Sequence, residues 1–265
     1  YFRKNLKIME NKNPSNVDFL LLSPTQIEQS LLAKRIKIFA DENHYGYLWR
    51  YGQIADKTIL LIETGVGQVN TAISLTKALN KWSPKRILQF GIGGAYCSSN
   101  MIPGDIAIAT KEHYGDAGVI TPNGWLGMEE IGFPMIKADE QNKYFKNSFY
   151  NQIPLDHKYA NLIYKNCSIF QQDGGAVFLG PFITIQQCSG IKKIGDSLAN
   201  RFDAICENME GAAAAHVAYL NKKSFVEIRA ISNQVIDRDI KKWDLKLAVH
   251  RIQNAVEKII ITGLE

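Results

Sequence analysis

Short apolar runs alternate with helix-period segments over nearly the whole chain. Val17-Asp18-Phe19-Leu20-Leu21-Leu22 reads as a buried strand, and Ser23-Pro24-Thr25 breaks it before a helical pattern through Ile27, Leu31, Leu32 and Ile36. Residues 58–62 predict a second strand, closed by Thr64-Gly65-Val66-Gly67. An amphipathic helix follows, with Val69, Ile73, Leu75 and Leu79 among its apolar positions. Residues 86–90 form a third strand pattern ending in Gly91-Ile92-Gly93-Gly94, and 105–109 a fourth. Strand patterns recur at 176–185, 203–206 and 225–230; helical ones fall near 156–168, 190–202, 209–221 and 244–262. Such alternation predicts an α/β fold in three layers, a mixed and mostly parallel central sheet flanked by helices. No repeat or linker interrupts it, so residues 17–265 are expected to form one domain, behind a disordered Lys- and Asn-rich tail over 1–16. Residues 113–153, rich in Gly, Asn, Pro and aromatics, read as a surface excursion of the kind used for lids or subunit contacts.

Composition narrows the class. The 46% apolar and 22% charged residues are ordinary for a soluble globular protein. The net charge of +5 comes from scattered Lys and Arg, which argues against a nucleic-acid partner. Cys97, Cys167, Cys188 and Cys206 lie far apart without a C-x-x-C, which favours reduced thiols in the cytoplasm over zinc or disulfides. No apolar run reaches membrane-spanning length, and residues 1–8 are too short and charged for a complete signal peptide. Five scattered histidines offer no dyad or metal spacing, so neither metal nor cofactor is expected.

Two polar groups stand out at the ends of consecutive elements, where α/β sheets build their sites: Glu210 opening a helix and Asn233 ending a strand. One is an anionic acceptor, the other an amide that donates and accepts, so together they suit a sugar diol and a purine edge. Glu210 could instead complement a helix dipole, Met209 could be core packing, and Asn233 could bond its own backbone. Asn208 suits an N-cap. The turns Gly65-x-Gly67 and Gly91-x-Gly93-Gly94 match neither the dinucleotide fingerprint nor a Walker lysine loop. For Gly91, Ile92 and Gly93, at the carboxyl end of a central strand, ligand contact is expected.

In order along the chain, Thr64-Gly65-Val66-Gly67, Gln89-Phe90-Gly91-Ile92-Gly93-Gly94, Pro103-Gly104-Asp105, Tyr114-Gly115-Asp116-Ala117, Asn208-Met209-Glu210-Gly211 and Ile231-Ser232-Asn233 resemble the nucleoside phosphorylase and nucleosidase superfamily over about residues 17–262. Gly180-Pro181-Phe182-Ile183-Thr184, Glu207-Asn208-Met209-Glu210-Gly211 and Ser232-Asn233 with Asp237-Arg238-Asp239 and Trp243 look most like its futalosine hydrolase branch, which releases hypoxanthine in menaquinone biosynthesis. The resemblance implies an N-ribosyl hydrolase, with Met209 and Glu210 on the ribose and Glu28 as the water-activating carboxylate. Asn233, supported by Ser232, would hold O6 and N7 of a 6-oxopurine, where adenine-releasing relatives have aspartate. Phe182, Thr184, Ile185 and Cys188 are expected along the base pocket. Arg238, Lys242 or Arg50 would face the aromatic carboxylate on the 5′ side of futalosine. Gln89 stands where phosphorylases of the superfamily have a phosphate-binding arginine, so hydrolysis is expected over phosphorolysis. The alternatives are action on another purine nucleoside, such as inosine or methylthioadenosine, and a nucleoside-binding homologue without chemistry. Tyr114 and Asp116 match a segment near the subunit contact of related dimers, and a homo-oligomer is expected.

Overall fold

The computed structural model describes residues 15–168 and 174–264. Of the expected tail, residues 1–14 lie outside the described residues. Ser15 and Asn16 are not tail, because they begin strand β1 (Ser15–Ser23) and pair with Trp82 and Ser83. The sheet continues with β2 (Lys37–His44), β3 (Tyr47–Ile54), β4 (Lys57–Glu63), β5 (Trp82–Ala95), β6 (Ile106–Tyr114), β9 (Gln152–Pro154), β10 (Val177–Thr184), β11 (Cys206–Asn208) and β12 (Phe225–Gln234). A separate ribbon, β7 (Gly118–Thr121) with β8 (Gly124–Gly127), lies in the 113–153 excursion. The helices are α1 (Gln26–Ala33), α2 (Gln68–Lys81), α3 (His157–Lys165), α4 (Lys192–Phe202), α5 (Gly211–Leu220) and α6 (Leu245–Thr262).

The strand order is β11-β10-β6-β12-β5-β1-β4-β3-β2, with β9 on β6. Pairing is parallel through β4-β1-β5-β12 and through β6-β10-β11, as the alternation predicts. The antiparallel share is larger than expected, and the hairpin β2–β3 is one source of it. Its two-residue loop holds Tyr45 at φ 57° and Gly46 at φ 90°, the left-handed pair that matches strand twist in tight hairpins. Charged, exposed β2 forms the sheet edge, which hides its strand character from a hydrophobicity pattern. At the other end, β11 also pairs antiparallel with β5 at Ala95 and Gly94, so β5, β12, β6, β10 and β11 close a circuit. The strand expected over 203–206 starts late because Asp203, at φ 50°, still caps α4.

Both faces of the central strands are covered, which is why their sequences read as continuous apolar runs. Phe19, Leu21, Ile59, Leu61, Leu88, Phe90 and Ile228 point to one face, against Leu32 of α1, Ile163 of α3 and Ile252, Val256 and Ile259 of α6. Leu20, Leu22, Leu60, Ile62 and Ile87 point to the other, against Leu75 and Ala78 of α2 and Ala212, Ala215 and Ala218 of α5. Each such side chain contributes about 1.5–3 kcal/mol by leaving water. On α2, the expected stripe is only partly inward: Thr71, Ser74, Leu75 and Ala78 are buried, whereas Val69 and Ile73 are exposed. The close approach of α2 to α5 favours small residues on the shared side. Likewise Ile27 is exposed, and Ile36 lies beyond α1, which ends at Ala33.

Candidate active site

The carboxyl ends of β1, β4, β5, β11 and β12 open onto one cavity of about 290 Å³. Glu28, Ile92, Gly93, Met209, Glu210, Arg229, Ser232 and Asn233 line it, and a loop carrying Arg238 and Trp243 borders it. Glu28 comes from the first turn of α1, aimed inward by the Ser23-Pro24-Thr25 break. Its Oε1 accepts from the Ile92 amide (2.9 Å) and its Oε2 from the Thr25 hydroxyl (2.6 Å). The side chain is only 4% exposed. Burial raises its pKa above 4.5, and the Thr25 and Ile92 hydrogen bonds and the Arg229 charge pull it back in part. A buried carboxylate that is harder to ionise is a better proton acceptor once ionised. Gly91 makes this packing possible: a Cβ there would meet Glu28 Oε1 at 2.6 Å and Arg229 Nη1 at 2.8 Å.

Arg229 is the largest of the fully buried side chains, at 1% exposure. A cation at that depth persists only when matched. Its Nε donates to Glu227 Oε1 (2.8 Å), its Nη2 to Glu210 Oε2 (3.1 Å) and its Nη1 to the Ile92 carbonyl (3.2 Å). Burial alone would favour the neutral form, but Glu227, Glu210 and Glu28 outweigh it and keep the guanidinium charged. Glu210 Oε1 accepts from the Gly67 amide (2.9 Å), so each of its oxygens has one protein donor and keeps a lone pair for a ligand hydroxyl. Gly67, at φ 93°, turns its amide toward this carboxylate.

Beneath lies a polar layer. Asn208 Oδ1 accepts from the amides of Glu210 (2.8 Å) and Gly211 (2.7 Å), a capping bond from three residues ahead of the first residue of α5. Its Nδ2 donates to Glu112 Oε1 (2.6 Å), and the Thr184 hydroxyl accepts from the Ala212 amide (2.7 Å) beside Glu112 Oε2 (2.8 Å). Burial first and the adjacent Glu227 second push the Glu112 carboxyl well above the ordinary glutamate range, and its hydrogen bonds to Thr184 and Asn208 pull it back in part. Gly211 is obligatory, because a Cβ would collide with the carboxylates of Glu227 and Glu112.

At the opposite side of the cavity, the Ser232 hydroxyl donates to Asn233 Oδ1 (2.7 Å) and Asn233 Nδ2 donates to the Gln234 carbonyl (3.1 Å). These bonds fix the amide orientation and leave one N–H and one carbonyl lone pair for a ligand. Arg238 stacks with its guanidinium 5.0 Å from the Trp243 ring centre. Among the described residues no group of three or more His, Cys, Asp or Glu side chains is arranged to hold a metal ion.

Glu28, Ile92, Gly93, Cys188, Met209, Glu210, Ser232, Asn233 and Arg238 thus meet at one cavity, with Gly91 packed behind it. Phe182, Thr184 and Ile185 do not line it. Phe182 and Ile185 are core residues and Thr184 belongs to the polar layer, because β10 is covered between β6 and β11 until the chain reaches Cys188. Lys242 and Arg50 are also outside the lining; Arg50 sits 3.9 Å from Asp41 on the hairpin. Tyr114 bonds the Ala212 carbonyl (3.2 Å), and Asp116 Oδ2 accepts from the Gln186 amide (2.6 Å). Sequence reasoning missed Arg229 and Glu207. The signal for Arg229 was available: Glu227 and Arg229 stand two apart in an apolar strand, hence on one buried face.

The sequence profile of the phosphorylase superfamily matches residues 20–261. The chain belongs to the phosphorylase superfamily. Among superfamily proteins, it is 27% identical over 243 residues to a futalosine hydrolase of Thermus thermophilus, covering 91% of this chain and 95% of that one. It is also 27% identical over 217 residues to a 5′-methylthioadenosine/S-adenosylhomocysteine nucleosidase of Bacillus thuringiensis, covering 78% and 81%. The same fold occurs in the corresponding nucleosidase of Neisseria meningitidis, solved with methylthio-immucillin-A, at 18% identity and a TM-score of 0.78 over 92% of this chain and 99% of that one. No helix among the described residues is long and apolar enough to cross a membrane.

Proposed function

We propose that this superfamily member is an N-ribosyl hydrolase that cleaves futalosine, releasing hypoxanthine and dehypoxanthine futalosine in menaquinone biosynthesis. The observation that carries it is the Asn233 amide, locked by Ser232 at the far side of a cavity whose near side holds the buried Glu28 carboxylate. The likeness to the Thermus thermophilus futalosine hydrolase over 91% of the chain supports the substrate. In this scheme Glu210, with Met209 beside it, holds the ribose hydroxyls. Glu28 takes a proton from water as the water oxygen bonds to C1′, and the C1′–N9 bond breaks with its electron pair moving onto the purine. Asn233 donates its free N–H to O6, where the departing charge gathers, and its carbonyl accepts from N7–H once the base has taken a proton from solvent. Arg238 meets the carboxylate on the 5′ side, with Trp243 stacked beside it.

Water rather than phosphate is the nucleophile in this proposal. Gln89 is buried on β5 between Leu22 and Glu227 in register and does not line the cavity, so it gives a phosphate dianion no cation there. Arg229 already faces three carboxylates. The protein is further proposed to act as one domain from the start of β1 at Ser15 onward, as a cytoplasmic homo-oligomer. Its four free cysteines agree with a reducing compartment, and the exposed Val66, Val69 and Ile73 supply an apolar face for a second subunit. The test is hypoxanthine release, followed by xanthine oxidase, from futalosine, inosine and methylthioadenosine with and without phosphate. Phosphate-independent turnover that favours futalosine is expected. Strict phosphate dependence, or preferential adenine release, would overturn the proposal.

A further inference from the structure

Behind Glu210 and Arg229, two carboxyl groups that do not line the cavity face each other at the start of α5. Glu112 on β6 and Glu227 on β12 are both fully buried and lie within hydrogen-bonding reach of one another. Glu227 Oε2 and Glu112 Oε1 crowd the one point where a Cβ on Gly211 would fall, so the glycine makes room for the pair. The other titratable groups around them are Arg229 on β12, Cys206 and Glu207 on β11, Tyr114 on β6 and Tyr96 just after β5, with Glu210 and Glu28 on Arg229. Burial raises the Cys206 thiol and both phenols, which leaves them uncharged and Arg229 as the cation of the cluster.

The hydrogen bonds around the pair show what is missing between its members. Glu112 Oε1 accepts from Asn208 Nδ2 (2.6 Å) and its Oε2 from the Thr184 hydroxyl (2.8 Å). Asn208 Oδ1 is taken by the amides of Glu210 and Gly211, and the Thr184 oxygen by that of Ala212, so both side chains turn hydrogen toward Glu112. Glu227 Oε1 accepts from Arg229 Nε (2.8 Å), whereas its Oε2 is buried and receives no hydrogen bond from another described group. Gln89, its neighbour in register on β5, does not bond it. Two bare acceptor oxygens repel each other in a dry interior, and a single proton turns the same contact into a charge-assisted hydrogen bond.

We propose that Glu112 and Glu227 share one proton and act together as a positioning group for Glu210. With the proton in place the pair carries one negative charge, which holds Arg229 through Nε and leaves Nη2 to Glu210. Without it, a second anion draws the guanidinium away from Glu210. The positioning role rests on the reading of the cavity as an active site with Glu210 on the ribose. The hydrogen-bond directions make the pair asymmetric. In Glu227→Gln the new carbonyl keeps the bond from Arg229 Nε, and the NH₂ group donates to Glu112 Oε1 in place of the shared proton. In Glu112→Gln the carbonyl stays against Asn208 Nδ2 and the NH₂ group turns to Thr184, so Glu227 must bind the proton by itself. Adding Glu227→Gln to that variant supplies the missing donor again.

A double-mutant cycle tests this, with KM for futalosine and stability in urea both measured between about pH 6 and 9. Glu112→Gln should raise KM about tenfold at the alkaline end and less at the acid end. Adding Glu227→Gln should restore most of that loss and remove its pH dependence. Relative to Glu227→Gln, the folding equilibrium of wild type should fall about tenfold per pH unit, the signature of one extra proton held by the folded wild type. Additive losses in the cycle, or equal pH slopes of stability in wild type and Glu227→Gln, would overturn the shared proton. The expected stability slope with KM unmoved in Glu112→Gln would overturn the positioning role. The urea comparison needs no substrate, so that slope without any futalosine turnover would uphold the shared proton and overturn the functional proposal, and the positioning role with it.

Discussion

Glu28→Gln separates chemistry from architecture. The amide is close to the carboxylate in shape, so its oxygen can still accept from Ile92 N, now 2.9 Å from Glu28, and its NH₂ can donate to the Thr25 hydroxyl. The lost property is the capacity to take a proton from water. General-base catalysis of this kind is worth roughly 10²–10⁴-fold, so kcat for futalosine should fall by about that factor while product affinity stays within about threefold. Stability should move the other way. Burial holds the folded-state pKa of Glu28 above its ordinary 4.5, so ionising it costs the folded protein more than the unfolded chain. That cost is absent below the unfolded value and is complete once pH has passed the raised folded value. Glu28→Gln removes it, so the variant's Tm relative to wild type should climb through that window. In wild type the acid limb of kcat/KM should likewise lie above pH 4.5, and it should vanish from the variant's residual activity. The assays are steady-state hypoxanthine release and a pH series of thermal melts. Turnover within about threefold of wild type would remove Glu28 from the mechanism.

Three further outcomes are expected. Asn233→Asp should shift the ratio of hypoxanthine to adenine release toward adenine by roughly 10- to 100-fold, measured on inosine and adenosine analogues; an unchanged ratio would refute the O6/N7 assignment. Arg229→Met leaves Glu227 and Glu210 buried without their cation and should destabilise the fold by about 3–5 kcal/mol in urea titration. A loss under about 1 kcal/mol would mean that the carboxylates find other partners or protonate at little cost. Gly211→Ala pushes a methyl group into the carboxylates of Glu227 and Glu112 and should cost about 1–3 kcal/mol. It should lower activity as well, by displacing the adjoining Glu210; full activity would show that the start of α5 can shift freely.

Much of the site was legible because its parts stand at element ends. Asn208, Met209, Glu210, Ser232 and Asn233 close strands or open a helix, and the glycines that turn the chain beside them break the apolar pattern visibly. Phe182, Thr184 and Ile185 show the limit of that logic. They also close an apolar strand, but β10 is covered on both sides there, and the chain reaches the cavity only at Cys188 and Ser189. The hairpin of β2 and β3 escaped notice for a different reason. An exposed edge strand needs no apolar run, and its Tyr45-Gly46 turn is a weak signal in isolation.

Local sequence determined the succession of strands and helices, because burial on both faces demands unbroken apolar runs and turns demand residues such as Gly65 and Gly67 at their places. It also determined the chemical character of the two ends of the candidate site, an acid at Glu210 and an amide at Asn233. Only the tertiary structure decided which charges meet. Arg229 joins Glu210 and Glu28 from two other segments to Glu227 on its own strand, and Glu207 comes to the cavity beside Gly94 only because β11 returns antiparallel onto β5. Hydrophobic patterning is local and survives in any window of the chain. A matched buried charge depends on neighbours brought together by the sheet, and no short window of sequence holds Glu28 and Glu210 together with the Glu227–Arg229 pair.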